Sequence, residues 1–174
     1  MTLEEWNERY RSREDIDADP AELLVTAAGY LPPGRALDLA CGAGRNARWL
    51  ASRGWEVVAM DGSSEAIRIV NEHEGNIDAR VMDFERNAAL PFDDESFDLV
   101  AILYYLHRPL FAEAKRVVKR GGVIVCAVKM IGTYRVKSGE LAQHFEGFGV
   151  LRSNEGEIAE LVARRPYFIH SNTR

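Results

Sequence analysis

The residues of this chain best spaced to do chemistry together are three aspartates and a pair of glycines. Gly42 and Gly44 interrupt the stretch Ala36-Leu-Asp-Leu-Ala-Cys-Gly-Ala-Gly-Arg-Asn-Ala47, where a short apolar run passes through a turn into an amphipathic run. Without a Cβ, both positions allow backbone conformations and a close ligand approach that a side chain obstructs. Asp38 stands four residues before Gly42, Asp61 ends the next apolar run, and Asp83 follows the third. If the three runs are neighbouring strands of an open parallel sheet, the aspartates gather at its carboxyl edge. Such sheets bind ligands there, beside the point where strand order reverses.

Gly42-Ala-Gly44-Arg-Asn-Ala47 also matches the dinucleotide fingerprint GxGxxA, with Asp61 where a ribose-binding acid belongs. Charge argues against a pyrophosphate, which each carboxylate repels by on the order of 1 to 4 kcal/mol at contact range. Three acids suit a cation. S-adenosylmethionine carries a sulfonium, an ammonium and a ribose diol, and no phosphate. Asp38 can hold the ammonium directly or through water, Asp61 can accept both ribose hydroxyls, and Asp83 can accept from the adenine amino group. Taken singly, each aspartate reads equally as a helix cap or turn residue.

The elements that must position these residues follow from periodicity. Thr2 and Glu5 form a capping box for a helix over residues 3 to 13. Asp15 to Asp19 breaks that pattern, and Asp19 as N-cap with Pro20 behind it opens a second helix, Ala21 to Tyr30, ended by Pro32-Pro33-Gly34. From Arg35 onward strands and helices alternate: strand Ala36 to Ala40, helix Arg45 to Arg53, strand Glu56 to Met60, helix Ser64 to Glu74, strand Ile77 to Met82. Strand Phe97 to Leu103, helix Leu110 to Arg120 stopped by Gly121-Gly122, and strand Val123 to Met130 continue it. Strands apolar on both faces in a β-α-β rhythm predict a parallel sheet covered by helices on both sides. A short helix from Glu140 to Phe145 then precedes two strand-like runs, Gly147 to Arg152 and Glu157 to Arg164. Ser153-Asn154-Glu155-Gly156 joins them as an antiparallel hairpin.

The stretch from Leu37 to Ala51 and the segment Gly54-Trp-Glu-Val-Val-Ala-Met-Asp-Gly-Ser63 resemble class I S-adenosylmethionine-dependent methyltransferases, in particular the small tellurite-resistance-type members. Leu90-Pro-Phe-Asp-Asp-Glu-Ser-Phe-Asp-Leu-Val100 and Glu113-Ala-Lys-Arg-Val-Val-Lys-Arg-Gly-Gly122 match the same family, and the likeness runs from Trp6 to Arg164. It implies a Rossmann-like three-layer α/β sandwich. The mostly parallel seven-stranded sheet would have order 3-2-1-4-5-7-6 and a C-terminal antiparallel hairpin. It also implies methyl transfer from S-adenosylmethionine, leaving S-adenosylhomocysteine. The cofactor site then falls on Asp38, Ala40, Cys41, Gly42, Gly44, Arg45, Asp61, Gly62, Ser63, Asp83, Phe84 and Leu103. Trp6-Asn-Glu-Arg-Tyr10 resembles an N-terminal element that folds over the cofactor, so Trp6, Arg9 and Tyr10 join that set; the alternative is that Trp6 and Tyr10 simply dock the helix. Two residues depart from the family pattern: Ala40 stands where glycine is usual and slightly narrows the methionine space. Arg120 replaces a proline at what reads as a helix end.

Several residues carry two readings. Phe84 lays its ring or backbone N–H against adenine, or anchors the core. Arg45, at a helix start, meets the methionine carboxylate, or is a solvated helix residue. Tyr104-Tyr-Leu-His-Arg-Pro109 follows the fourth strand, where the transferred methyl should emerge. His107 there is a candidate general base and Tyr104 and Tyr105 candidate pocket residues, against a reading as packed aromatics beside an exposed histidine. His73, His144 and His170 have no partners at ligand spacing, so no metal is expected. Lys115, Arg116, Lys119 and Arg120 read as a solvated helix end, with no aromatics interleaved as in an RNA-binding face.

Composition sets the outer bounds. The chain has 174 residues, 47% of them hydrophobic, which fits one domain with a substantial core. Residues 1–33 would form a helical lid, 34–130 the cofactor core, and 131–174 a substrate-side loop and hairpin. With 22 basic against 27 acidic side chains the net charge is −5, which draws neither nucleic acid nor anionic lipid over long range. Two cysteines, Cys41 and Cys126, fit a reduced compartment. The N-terminus has no signal-peptide pattern, and the longest apolar run, Leu99 to Leu106, is far below the ~20 residues of a membrane span. The expectation is a soluble, cytoplasmic enzyme acting on a small-molecule acceptor. The alternatives are a non-catalytic S-adenosylmethionine-binding protein, a methyltransferase that needs a partner, and an NAD-dependent oxidoreductase.

Overall fold

The computed structural model describes residues 1–12, 16 and 18–168; Arg13, Asp15 and His170, which figure in the reading above, lie outside them. The strands are β1 (Arg35–Leu39), β2 (Glu56–Asp61), β3 (Ile77–Val81), β4 (Phe97–Leu103), β5 (Val118–Lys129), β6 (Gly149–Glu155) and β7 (Ile158–Arg164). They form one sheet in the order β3-β2-β1-β4-β5-β7-β6. The first five run parallel, while β7 pairs antiparallel with both β5 and β6. This is the order the family resemblance implies. Chain order reverses between β1 and β4, so the crevice for a ligand opens at their carboxyl ends.

Side-chain alternation explains how the sheet buries both faces. Leu37, Leu39, Val100, Ile102, Ile124 and Cys126 project to one side, against Leu110, Phe111 and Ala114 of α5 (Pro109–Val117) and Leu141 of α6 (Glu140–His144). Ala36, Val57, Leu99, Ala101 and Val123 project to the other. There they meet Leu24 and Ala28 of α2 (Glu22–Ala28), Leu50 of α3 (Arg45–Ser52), and Ile67 and Val70 of α4 (Ser64–Asn71). Each fully buried Leu, Ile or Val contributes roughly 1.5 to 3 kcal/mol. Asp38 shares the second face and lies beneath the start of α3. The remaining helix, α1 (Leu3–Arg11), buries none of its residues and keeps the capping box expected of Thr2 and Glu5.

Four expectations are corrected. Asp19 does not cap α2: Ala21 holds the N-cap position, and its N–H donates to Asn46 Oδ1 at 2.9 Å, a bond across 25 residues that local sequence does not reveal. Gly121-Gly122 does not stop α5, which ends at Val117, because Val118 already pairs with Phe97 of β4 across an irregularity in the ladder. Lys119 and Arg120 therefore lie on β5, where they pair with Asp98 (2.9 Å) and Glu95 (3.1 Å), and the basic cluster is split between two elements. The strands are not all apolar on both faces, since the edge strand β6 is exposed along its length and the edge strand β3 has no fully buried residue. The hairpin turns at Gly156-Glu157, with Ser153 to Glu155 still paired in β6.

The turn from β1 into α3 places Ala40, Gly42 and Gly44 in the left-handed region, with φ of 56°, 55° and 85°. A Cβ on Gly44 would lie 2.7 Å from Val70 Cγ2, so packing as well as dihedral angle requires glycine. Gly132 has a similar φ of 86° with nothing within 4 Å of a Cβ. Gly132→Ala should therefore cost only the backbone strain of about 1 to 2 kcal/mol. Gly44→Ala should cost about 2 to 4 kcal/mol, because overpacking against Val70 adds to that strain. Urea unfolding of both variants measures the difference, and equal losses would contradict the contact with Val70.

Candidate functional site

Asp61 closes β2 and holds the site's backbone in place. Its Oδ2 accepts from the Gly42 N–H at 2.9 Å and its Oδ1 from the Ser63 N–H at 2.8 Å. Each oxygen retains a second lone pair for a further donor. Burial raises the Asp61 carboxyl above the ordinary carboxylate range, and the two N–H bonds counter part of that rise. Ser63 continues the linkage. Its Oγ accepts from the Ala66 N–H at 3.1 Å, capping α4, and donates to Asn7 Oδ1 at 2.6 Å, which fastens α1 over the site. Arg11 of the same helix reaches Glu65 of α4 at 3.4 Å.

Asp38 is 1% exposed. One oxygen takes the Ala47 N–H of α3, and Oδ2 has no hydrogen-bond partner among the described residues. Burial, reinforced by the nearby Asp61 charge, raises this carboxyl to about 7, while Arg45 and the Ala47 N–H work the other way. Cys41 feels the same burial and the same two carboxylates, which push its thiol well up and keep it protonated rather than nucleophilic.

Above these groups opens a cavity of about 490 Å³, within the range usual for small-molecule sites. Most residues singled out from the sequence meet on its wall: Trp6, Arg9 and Tyr10 from α1; Ala40, Cys41, Gly42 and Arg45 around the turn; Asp61 and Gly62 after β2; Asp83 and Phe84 after β3; and Leu103, Tyr104 and Tyr105 after β4. Asp38, Gly44, Ser63 and His107 are not part of the described wall. The first three support it from beneath. Met1, Leu3, Ala18, Ala43, Asn46 and Glu85 also line it, and the sequence reading singled out none of them. Asn46 and Glu85 each stand beside a quoted motif residue, but their roles depend on partners 25 and 20 positions away, which no local pattern shows.

The wall has two chemically distinct ends. At one, Trp6 and Tyr10 stack with ring centroids 5.9 Å apart, and the Arg9 guanidinium lies 5.4 Å over Trp6. The Tyr10 hydroxyl stands 2.7 Å from where a Cβ on Gly42 would be, so the glycine makes room for it. Arg45 donates to the Asp19 carbonyl at 3.1 Å and lies 5.6 Å over the Tyr104 ring. At the other end Asp83 Oδ1 accepts from the Glu85 N–H at 3.1 Å, turning the chain so that Glu85 faces Tyr105. The Tyr105 hydroxyl donates to Glu85 Oε1 at 3.1 Å, and His107 Nδ1 lies 3.8 Å from Glu85 Oε2. Among the described residues no group of three or more His, Cys, Asp or Glu side chains could hold a metal ion.

Such a site suits a ligand with hydroxyls and a positive charge. Anchored carboxylates lie at the β1 and β2 ends, and the glycine turn brings backbone close to whatever occupies the cavity.

Comparison with known proteins agrees. Residues 37–126, more than half of the chain, match the family described as a methyltransferase domain. The chain is 37% identical over 110 residues to a demethylmenaquinone methyltransferase of Renibacterium salmoninarum, covering 60% of this chain and 45% of that one. It is 30% identical over 124 residues to a ribosomal RNA small subunit methyltransferase C of Alcanivorax borkumensis, covering 63% and 37%. The chain thus spans less than half the length of these curated relatives. Its fold is similar to that of TehB from Haemophilus influenzae, with a TM-score of 0.78 at 20% identity, over 91% of this chain and 67% of that one. With the matched stretch running from β1 through most of β5, the chain belongs to the class I S-adenosylmethionine-dependent methyltransferase family.

Proposed function

We propose that this protein transfers a methyl group from S-adenosylmethionine to a small-molecule acceptor by in-line displacement. The observation that carries this reading is the buried, unpartnered Asp38 oxygen beneath a glycine cradle whose far side is pinned by Asp61. A buried carboxylate without a donor is costly, and an ammonium reached directly or through one water offsets that cost. The other residues fit the same ligand. Asp61 keeps lone pairs for ribose hydroxyls, Asp83 and Phe84 flank the position for adenine, and Arg45 lies at the α3 start, where a carboxylate is favoured.

Bound, S-adenosylmethionine supplies an electrophilic methyl on a sulfonium that leaves as a neutral thioether. The protein's own task is to align the acceptor and keep water out, which can account for several kcal/mol of the barrier. Trp6, Tyr10 and Leu3 of α1 shield one side of the cavity, and Leu103, Tyr104 and Tyr105 bound the acceptor side. A small acceptor accords with the acidic mouth formed by Asp83 and Glu85 and with the net charge of −5, both unfavourable to an RNA backbone. Incubation with radiolabelled S-adenosylmethionine and a panel of phenols, thiols, amines and metalloid oxyanions tests turnover. Calorimetric binding without transfer to any of them would make it a binding protein instead.

Asp61→Ala removes the ribose acceptor together with the brace of the glycine turn. It should weaken S-adenosylmethionine binding by roughly 1 to 3 kcal/mol, or about 5- to 150-fold. Titration calorimetry measures this, and unchanged affinity would refute the assignment.

Asp38 generates a pH dependence of definite sign. Its folded value of about 7 lies above that of an unfolded aspartate, so the folded protein holds the proton to higher pH. Its contribution to stability of the ligand-free protein is fully present below about pH 4 and is lost as pH rises through about 7. Affinity for the cationic cofactor should move oppositely, strengthening through the same window as Asp38 ionises. Asp38→Asn should flatten both curves. Thermal melts and titrations between about pH 5 and 8 read both, and a wild-type affinity constant across that range would contradict the role given to Asp38.

A further inference from the structure

A second cavity opens at the opposite edge of the sheet, where β1, β4 and β5 begin and β7 ends. Its volume is about 440 Å³, again within the range usual for small-molecule sites, and it shares no lining residue with the cavity over Asp61. Tyr30, Pro32 and Pro33 from the connection between α2 and β1, Trp55 before β2, Arg164 of β7 and Tyr167 beyond it line the space. Tyr30 is 87% exposed and Tyr167 59%, so both present ring surface to solvent. The Tyr167 ring is seated on the backbone of Gly121, where a Cβ would collide with it. The chain that carries this ring is fastened to β5: the Gly121 N–H donates to the Arg165 carbonyl and the Arg165 N–H to the Gly122 carbonyl, each at 2.9 Å. Pro32 and Pro33, with φ fixed by their rings, make a stiff wall, and the buried Trp55 makes an apolar one.

Charge at this edge is out of balance. Arg120 and Arg165 share the single carboxylate of Glu95, each at 3.1 Å. Asp98, which also lines the cavity, is taken by Lys119 at 2.9 Å. Arg164 is partly buried; its Nε has no acceptor, and no carboxylate pairs with its side chain among the described residues. A guanidinium drawn out of water without a counter-charge is costly, and an anion beside it offsets that cost. We propose that this cavity is a second small-molecule site, built for a planar aromatic monocarboxylate. The Arg164 guanidinium supplies a flat fork that matches a carboxylate, while the tyrosine rings and the prolines supply faces for an aromatic body. The Asp98 charge on the same wall disfavours a dianion such as an aryl phosphate.

Equilibrium dialysis of the whole chain against 2-naphthoate, 2-naphthylmethanol and 2-naphthyl phosphate tests this, at about pH 7.5, where the phosphate is largely a dianion. The naphthoate should bind at one equivalent, at least about 10-fold more tightly than the neutral alcohol or the phosphate. Arg164→Met should weaken the naphthoate by at least about 10-fold and leave the alcohol within about twofold. Tyr167→Leu should weaken acid and alcohol alike, by about threefold. Saturating S-adenosylhomocysteine should displace none of the naphthoate. Thermal melts check that each variant folds; should Arg164→Met fail to, Arg164→Lys keeps the charge, loses the fork and should cost the naphthoate about fivefold. Displacement by S-adenosylhomocysteine would put the naphthoate in the cofactor cavity and overturn the proposal. No binding by folded wild-type protein, equal affinity for acid and alcohol, tighter binding of the phosphate, or unchanged affinity in the Arg164 variant would each overturn it as well.

Discussion

The Asp61 carboxylate ties together two turns beyond the end of the β1–β2 ladder, whose last backbone bond runs from the Cys41 N–H to the Met60 carbonyl at 3.0 Å. Gly42 belongs to the turn after β1 and Ser63 to the turn after β2, and one side chain accepts from both backbones at 2.9 and 2.8 Å. Hydrogen bonds to a charged acceptor contribute about 1.5 to 3 kcal/mol each, roughly twice the usual amount. That is enough to hold a turn containing three left-handed residues. The same two bonds restrain Asp61 itself, so the carboxylate is fixed by the backbone it fixes. Through Ser63 and Asn7 the linkage extends to α1, which has no fully buried side chain and joins these polar bonds to the packing of its half-buried Tyr10 against Ile16, Ala43 and Ile69.

Asp38 is the opposite case. Where Asp61 is held by two donors, Asp38 is buried with only the Ala47 N–H on one oxygen and the other unmatched among the described residues. An apolar residue would be more stable at this position in the ligand-free protein, because an unsatisfied buried carboxylate costs more than a hydrogen bond returns. In the ligand-free protein the cost is relieved by holding the proton, and a cationic ligand, as proposed above, would relieve it in the ionised form. Burial chiefly sets how far the carboxyl titrates from its usual range, with Asp61 adding to the rise and Arg45 opposing it.

What was legible in the sequence follows from the range of the interactions involved. Alternating apolar runs reported the strands, and glycines followed by acids reported the ligand end of β1 and β2, because strand faces and turn dihedrals are local properties. The features that escaped depend on partners distant along the chain. Asn46 supports the start of α2 from 25 positions away, displacing Asp19, whose local pattern was the better cap. Val118 leaves the helix early because Phe97 offers a strand partner, and this carries Lys119 onto Asp98, which also accepts from the Arg35 N–H. Glu85 has no motif of its own; it becomes visible only once the loops after β3 and β4 stand side by side.

That juxtaposition is itself a consequence of sheet order. β3 and β4 are separated in the sheet by β2 and β1, so the loops that follow them can meet only by arching over the ends of the two central strands. Tyr104, with φ of 62°, supplies the bend on one side, and its N–H bonds to the Ala127 carbonyl at 2.6 Å to keep the start of the arch on the sheet. The Asp83 turn supplies the other. A left-handed tyrosine costs about 1 to 2 kcal/mol, and strain of this kind persists where the surroundings over-determine the backbone. Here the return on that strain is positional. It brings Tyr105 to Glu85 across the mouth of the cavity, so this part of the wall is assembled from two short loops rather than from the sheet itself.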